Sequence, residues 1–226
     1  MNKHSSSEKR DQRFCNNDLR SSENTAILRS LGYESFSVLL SSPHDLDTKD
    51  KLNGIASTTG LPYSLDLSDL MNEFSQQDLS ELKKQYSGLF EVGNDGPPAP
   101  IREDLFMLQP AGLREDLVRF YEYFGYTLGE KFQWQMDHLS IELEFMHFLC
   151  FQEHNSTEDR LSYQLAQLDF STRHLVNWVP DFQKTLKRIS IDAMYTKIVV
   201  ELNKFLEDDI EWQLETINDP QLLMEG

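Results

Sequence analysis

The chain has 226 residues, 39% of them hydrophobic, enough to bury one core and hence to form one domain. Thirty-eight acidic side chains against 21 basic ones leave a net charge of −17. That balance argues against nucleic-acid phosphates or an anionic membrane surface as partner, and it suits a basic one such as an arginine-rich peptide.

Two cysteines, Cys15 and Cys150, do not make a disulfide framework and fit a reducing compartment. No apolar run reaches the roughly 18 residues of a membrane span. Residues 1–18 are polar and lack the apolar core of a secretory signal, so the expected location is cytoplasmic.

In chain order, residues 1–21 combine Ser5-Ser6-Ser7, Asn16-Asn17 and mixed charges, and read as a disordered tail. Ser22 is placed to cap a first helix with an apolar face of Ala26, Leu28, Leu31, Phe36, Leu39 and Leu40, ending before Pro43. Residues 44–62 read as a polar loop with one short helix, and residues 65–74 as a second short helix. Asp78-Leu79-Ser80-Glu81 opens a clearer helix through Leu82, Tyr86, Leu89 and Phe90. The run from Gly93 through Pro97, Pro98 and Pro100 cannot continue it and forms a surface loop. Residues 101–107 make a short element. Leu113, Leu117, Phe120, Tyr121, Phe124 and Leu128 then follow at helical spacing.

Residues 136–150 predict a central helix, apolar around most of its girth. At about 100° per residue, Leu139, Leu143, Met146 and Cys150 share one side, and Ile141, Phe145 and Leu149 a second. Ser140, Glu144 and His147 are left as a narrow polar stripe. Asp137 reads as the N-cap. His138 and Glu142, at i and i+4, are expected to touch as a buried pair. Asn155-Ser156-Thr157-Glu158 offers a cap for a further helix, which carries Leu161, Leu165, Leu168, His174 and Leu175 and ends near Trp178-Val179-Pro180. Residues 182–189, 191–205 and 210–217 complete the helices, with residues 218–226 as a loose end. No strand alternation persists, so the predicted fold is all-α, a single helical-bundle domain over residues 22–217.

Catalytic patterns are sparse. Glu144-Phe145-Met146-His147 is a Glu-x-x-His motif, but a di-iron bundle needs two of these plus two further glutamates, and no second copy is present. A metal-dependent helical-bundle oxidase using Glu144 and His147 is nonetheless the alternative reading from a different class. No phosphate-binding glycine loop and no nucleophile elbow occurs. The expectation is a protein that is not an enzyme and binds no metal or cofactor itself.

Four segments in order carry a resemblance. Tyr86-Ser87-Gly88-Leu89-Phe90 is similar to a Tyr-x-x-Leu-Phe helix end, and Pro100-Ile101-Arg102-Glu103-Asp104-Leu105-Phe106 to a proline-led loop. Asp137-His138-Leu139-Ser140-Ile141-Glu142-Leu143-Glu144-Phe145-Met146 resembles an Asp-His-Leu-x-x-Glu-Leu-x-Phe-Met run. His174-Leu175-Val176-Asn177-Trp178-Val179-Pro180-Asp181-Phe182 resembles a His-x-x-x-Trp-x-Pro-x-Phe segment. Together, over residues 25–217, they resemble the TorD-like redox-enzyme maturation chaperones that serve molybdoenzymes. The run with Glu142, Glu144 and Met146 looks closest to the branch serving dimethylsulfide dehydrogenase, selenate reductase and ethylbenzene dehydrogenase. Met136 stands where relatives often carry proline, and Ile101-Arg102-Glu103 departs from their usual loop.

The resemblance implies an all-α domain of about ten helices, a monomer or homodimer. Its partners would be an apo-molybdoenzyme catalytic subunit and that subunit's twin-arginine signal peptide, with no nucleic acid and no membrane insertion. The client, not the chaperone, carries the molybdopterin cofactor. A cationic, partly apolar peptide calls for an acidic rim around an apolar groove. Asp137, Glu103, Asp104 and Glu207-Asp208-Asp209-Ile210-Glu211 are the expected rim, and Phe106, Trp178 and Phe182 the expected wall. Asp137, His138 and Glu142 are expected to set the loop–helix junction that faces the client.

Overall fold

The computed structural model describes residues 25–45, 47–52, 61–94, 96–156 and 158–217. The expected tail, the Ser22 cap and the loose end therefore lie outside the described residues. Among the described residues the chain forms ten α-helical segments and no β-strand, only isolated bridges. They are α1 (Thr25–Leu40), α2 (Thr48–Leu52), α3 (Ser68–Gln76), α4 (Leu79–Tyr86), α5 (Glu103–Phe106), α6 (Leu113–Phe124), α7 (Leu139–Asn155), α8 (Arg160–Phe170), α9 (Val179–Ile189) and α10 (Met194–Thr216). The all-α expectation holds.

The central helix is α7. Leu139, Ile141, Leu143, Phe145, Met146, Leu149 and Cys150 are all buried, as a helix apolar on every side requires. It packs chiefly along α1 and then α8, while α10 closes the other side of α1 and also touches α4, α8 and α9. Gly32 lets α1 and α10 approach, since a Cβ there would meet the Phe205 ring at 3.1 Å. That ring lies edge-on to Tyr33 at 4.8 Å and tilted against Phe36 at 5.4 Å.

Several boundaries move. Gly125 takes the left-handed conformation (φ 69°) and ends α6, so Leu128 lies beyond the helix. Pro180 falls in the first turn of α9, where its missing N–H costs nothing, so that helix starts at Val179 rather than Phe182. The expected helices at 191–205 and 210–217 are one 23-residue helix, because Glu207, Asp208 and Asp209 contain no breaker. The helix expected to open at Asp78 is α4, which Asp78 caps, its carboxylate accepting from the Ser80 N–H. Two helices, α4 and α8, run on into single π-turns at Ser87–Glu91 and Ser171–Leu175, wide turns that often mark functional positions.

Candidate functional site

Residues 101–107 lie across the start of α7. The Glu103 N–H donates to the Asp137 carbonyl at 2.8 Å, and the Leu139 N–H to the Ile101 carbonyl at 3.1 Å. Just beyond α5 the chain turns through Leu108 (φ 61°) and Gln109 (φ 57°), two left-handed residues that are not glycine. Such conformations persist only where their surroundings enforce them.

The cap of α7 is His138, not Asp137. Its Nδ1 accepts from the Ser140 N–H at 3.1 Å, so the ring proton rests on Nε2, 2.8 Å from the Tyr86 hydroxyl. Burial lowers His138 to about 4, which keeps the ring neutral. Asp137 is wholly buried and turned the other way. Its carboxylate takes Arg102 at 2.7 Å and Arg114 at 2.9 Å, and both guanidiniums also donate to the Trp134 carbonyl. Arg102 lies over the Trp134 ring at 5.4 Å. The expected His138–Glu142 pair does not form: His138 spends both nitrogens on Ser140 and Tyr86.

Glu142 is fully buried behind this junction. Burial, and then the charges of Glu103 and Asp137, push it well above the ordinary carboxylate range. Glu103 is also buried. Burial raises it, against the pull of His174, whose Nδ1 lies 2.9 Å from its Oε2. The second His174 nitrogen lies 3.1 Å from Asp116 Oδ2, and Asp116 in turn pairs with Arg173. Trp178 is a core plug. Its indole N–H donates to the His174 carbonyl at 2.6 Å, and its ring packs on Phe106 and Phe182. Trp178 and Phe182 are thus buried rather than walls of an open groove, while Asp104 and Phe106 remain part-exposed.

A groove of about 400 Å³ opens beside His138, between α1, the chain after α6 and the first turns of α7. Val38, Leu128, Phe132 and Ile141 give it apolar wall, and Glu34, Asp45 and Glu144 outnumber Lys51 along it, leaving it net negative. His147 also reaches it, half-buried, with Nδ1 2.8 Å from the Ser30 hydroxyl. It is therefore not on a solvated stripe as expected, and its ring is held to α1 rather than to Glu144. Among the described residues, no three His, Cys, Asp or Glu side chains gather to hold a metal.

The family model of the nitrate reductase delta subunit matches residues 57–184, more than half of the chain and all of this junction. The chain belongs to that family. The TorD-like resemblance of the four motifs is thereby upheld. Within the family, the chain is 37% identical over 131 residues to the chlorate reductase assembly chaperone of Ideonella dechloratans, covering 56% of this chain and 67% of that one. It is 33% identical over 131 residues, with the same coverage, to the selenate reductase assembly chaperone of Thauera selenatis. A redox enzyme maturation protein from Archaeoglobus fulgidus shares the fold, with a TM-score of 0.54 at 22% identity over 79% of this chain and 93% of that one. The chlorate and selenate reductase relatives are named as assembly chaperones, not as catalysts.

The family match leaves out α1 and α10, which hold the feature that sequence reasoning missed. Arg29 is buried and grips Asp209 through Nε at 2.6 Å and Nη2 at 3.0 Å, with Nη1 on Gln167 at 2.7 Å. Asp209, expected on the acidic rim, lies beneath it. Burial alone would raise Asp209, yet Arg29 and the Tyr33 and Tyr63 hydroxyls hold it below its ordinary value. A signal was available: Ala26, Arg29, Tyr33, Phe36 and Leu40 form one helical stripe, as do Ile198, Leu202, Phe205, Asp209 and Trp212. Each stripe carries one charge in phase with its apolar residues, and the charges are opposite.

Proposed function

We propose that this chain is a system-specific chaperone that holds the apo catalytic subunit of a molybdenum-cofactor oxidoreductase until its cofactor is inserted. The observation that carries this reading is the family match, with relatives named as assembly chaperones of chlorate and selenate reductases. The chaperone domain would be residues 22–217, and its place of action the cytoplasm, before export of the client.

The groove beside His138 supports a more specific reading, in which it takes the client's twin-arginine signal. Apolar Val38, Phe132 and Ile141 suit the apolar stretch of such a peptide, and Glu34, Asp45 and Glu144 suit its guanidiniums. Asp137, His138, Glu142, Glu103 and Trp178, being buried, would shape the junction rather than touch the client. Asp104 and Phe106 are exposed enough to touch it.

The test is calorimetric titration with a twin-arginine signal peptide and with an apo catalytic subunit at low salt. Binding that weakens with salt and with Arg→Lys replacement in the peptide is the expected result. Failure to bind either ligand would remove the proposal.

A further inference from the structure

Glu142 has an unusual shortage of donors. Neither carboxyl oxygen meets one among the described residues, and the side chain has no exposure to water. Nearby donors are spent elsewhere. The Trp178 indole N–H faces Glu142 but makes its short bond, 2.6 Å, to the His174 carbonyl, and the Tyr121 hydroxyl is bonded to the Met136 carbonyl at 2.8 Å. Arg102 and Arg114 are both on Asp137, and His138 is neutral and bonded to Tyr86. Besides that indole, the group that reaches Glu142 is the carboxyl of Glu103. Two carboxylates cannot satisfy each other, and an ionised Glu142 here would be a buried charge with nothing to solvate it.

We propose that Glu142 and Glu103 hold one proton between them, resident on Glu142 and donated to Glu103, and that this proton latches residues 101–107 onto the central helix. The chain of groups is then complete. Glu103, as carboxylate, accepts from Glu142 and lies 2.9 Å from His174 Nδ1, whose Nε2 lies 3.1 Å from Asp116 Oδ2, and Asp116 is closed by Arg173. The other groups facing the pair reinforce the proton: Asp137, before α7, adds negative charge, and Tyr121 of α6 is held neutral by burial. The raised carboxyls of Glu142 and Glu103 are in accord with this assignment.

Removing the shared proton at alkaline pH puts two like charges into the seam between α5 and α7. Solvent is near, since a polar cavity of about 620 Å³ lined by Asp116, Arg119, Arg173 and Asn177 opens onto His174 and Glu103. Segment 101–107 then keeps two backbone bonds and the Arg102–Asp137 pair against that repulsion. Its loosening would alter the surface that Asp104 and Phe106 present, a consequence for the client that rests on the proposed function. The latch itself does not.

Glu142→Gln in the full chain tests it, because the amide keeps the shape and donates to Glu103 at every pH. Hydrogen exchange of residues 101–107, referenced to the intrinsic rate at each pH, is expected to lose protection on the alkaline side in the wild type and to stay flat in the variant. The infrared band of a protonated carboxyl is expected in the wild type at neutral pH and should be missing from the variant. A wild type without that band, or identical exchange profiles in the two proteins, overturns the proposal. Glu103→Gln is the second variant, leaving one buried carboxyl and an oxygen for His174. An alkaline loss of protection that persists in it likewise overturns the proposal. Neither readout requires a client, so failure of the latch and failure of the chaperone reading are separable.

Discussion

Two buried polar clusters sit at opposite ends of α7, one built on Glu153 and the other on Glu142, and they follow different rules. At the Glu153 end the carboxylates are supplied with donors, and of the groups named next only the Gln213 Oε1 lacks one. Arg29 serves Asp209, Gln167 and Glu153, while Tyr33, Tyr63 and Gln213 also donate to Asp209, and Gln164 and Gln167 to Glu153. The Trp212 ring lies 4.9 Å from the guanidinium. Such a network fixes α1, α7, α8 and α10 in one arrangement. At the Glu142 end there is one donor too few, a cavity beside the network and a strained corner two residues past α5. The contrast separates a staple from a hinge point: the first specifies the bundle, and the second can answer to protons and partners.

The largest effect should come from breaking the staple. Arg29→Met leaves Asp209 and Glu153 buried without their cation, and is expected to cost about 3–5 kcal/mol in urea denaturation. A loss below about 1 kcal/mol would show that the cluster is no staple.

Next is acidification at the other end. The folded-state value of His138, about 4, lies below the ordinary 6.5, so the folded chain refuses a proton that the unfolded chain takes. Stability is therefore full above 6.5 and falls as pH drops through 6.5 toward 4, by up to roughly 3 kcal/mol. His138→Gln, which can still accept from Ser140 and donate to Tyr86, should flatten that part of the urea-midpoint profile. An equally steep profile in the variant would remove His138 as the cause.

Asp137→Asn should cost less, about 1–2 kcal/mol, because Arg102 and Arg114 are partly exposed and can turn to water. Urea denaturation measures the cost, and the extra mobility should be confined to residues 101–107 in hydrogen exchange. A uniform loss of protection would place Asp137 with the staple instead.

How much of this was legible in the sequence depended on the range of the interaction. Local signals held: the helix start at Asp78, the helix break near Gly93 and the all-round apolar pattern of α7 are each decided within a few residues. Asp137 looked like a cap because it precedes the helix, but the cap is the next residue, since Asp137 is claimed by Arg102, 35 residues away, and by Arg114. His138 and Glu142 share a face, yet the neighbours that decide their surroundings, Tyr86 beside His138 and Glu103 beside Glu142, stand on other elements. Asp209 stood in an acidic run and passed for surface. Only its phase with Phe205 and Trp212 marked it as core, and its partner Arg29 is 180 residues distant. The groove, assembled from α1, α7 and the chain between α6 and α7, has no local signature at all.

The smallest effect on stability, and the most direct trial of the account, belongs to the groove. Glu34→Lys with Glu144→Lys changes charges on side chains that are not buried and should shift stability by no more than about 1 kcal/mol. Titrating wild type and double variant with a twin-arginine signal peptide at low salt is the deciding measurement. Clear binding by the wild type and at least a tenfold weaker affinity in the folded variant are the expected results. Equal affinity in the two proteins would contradict it.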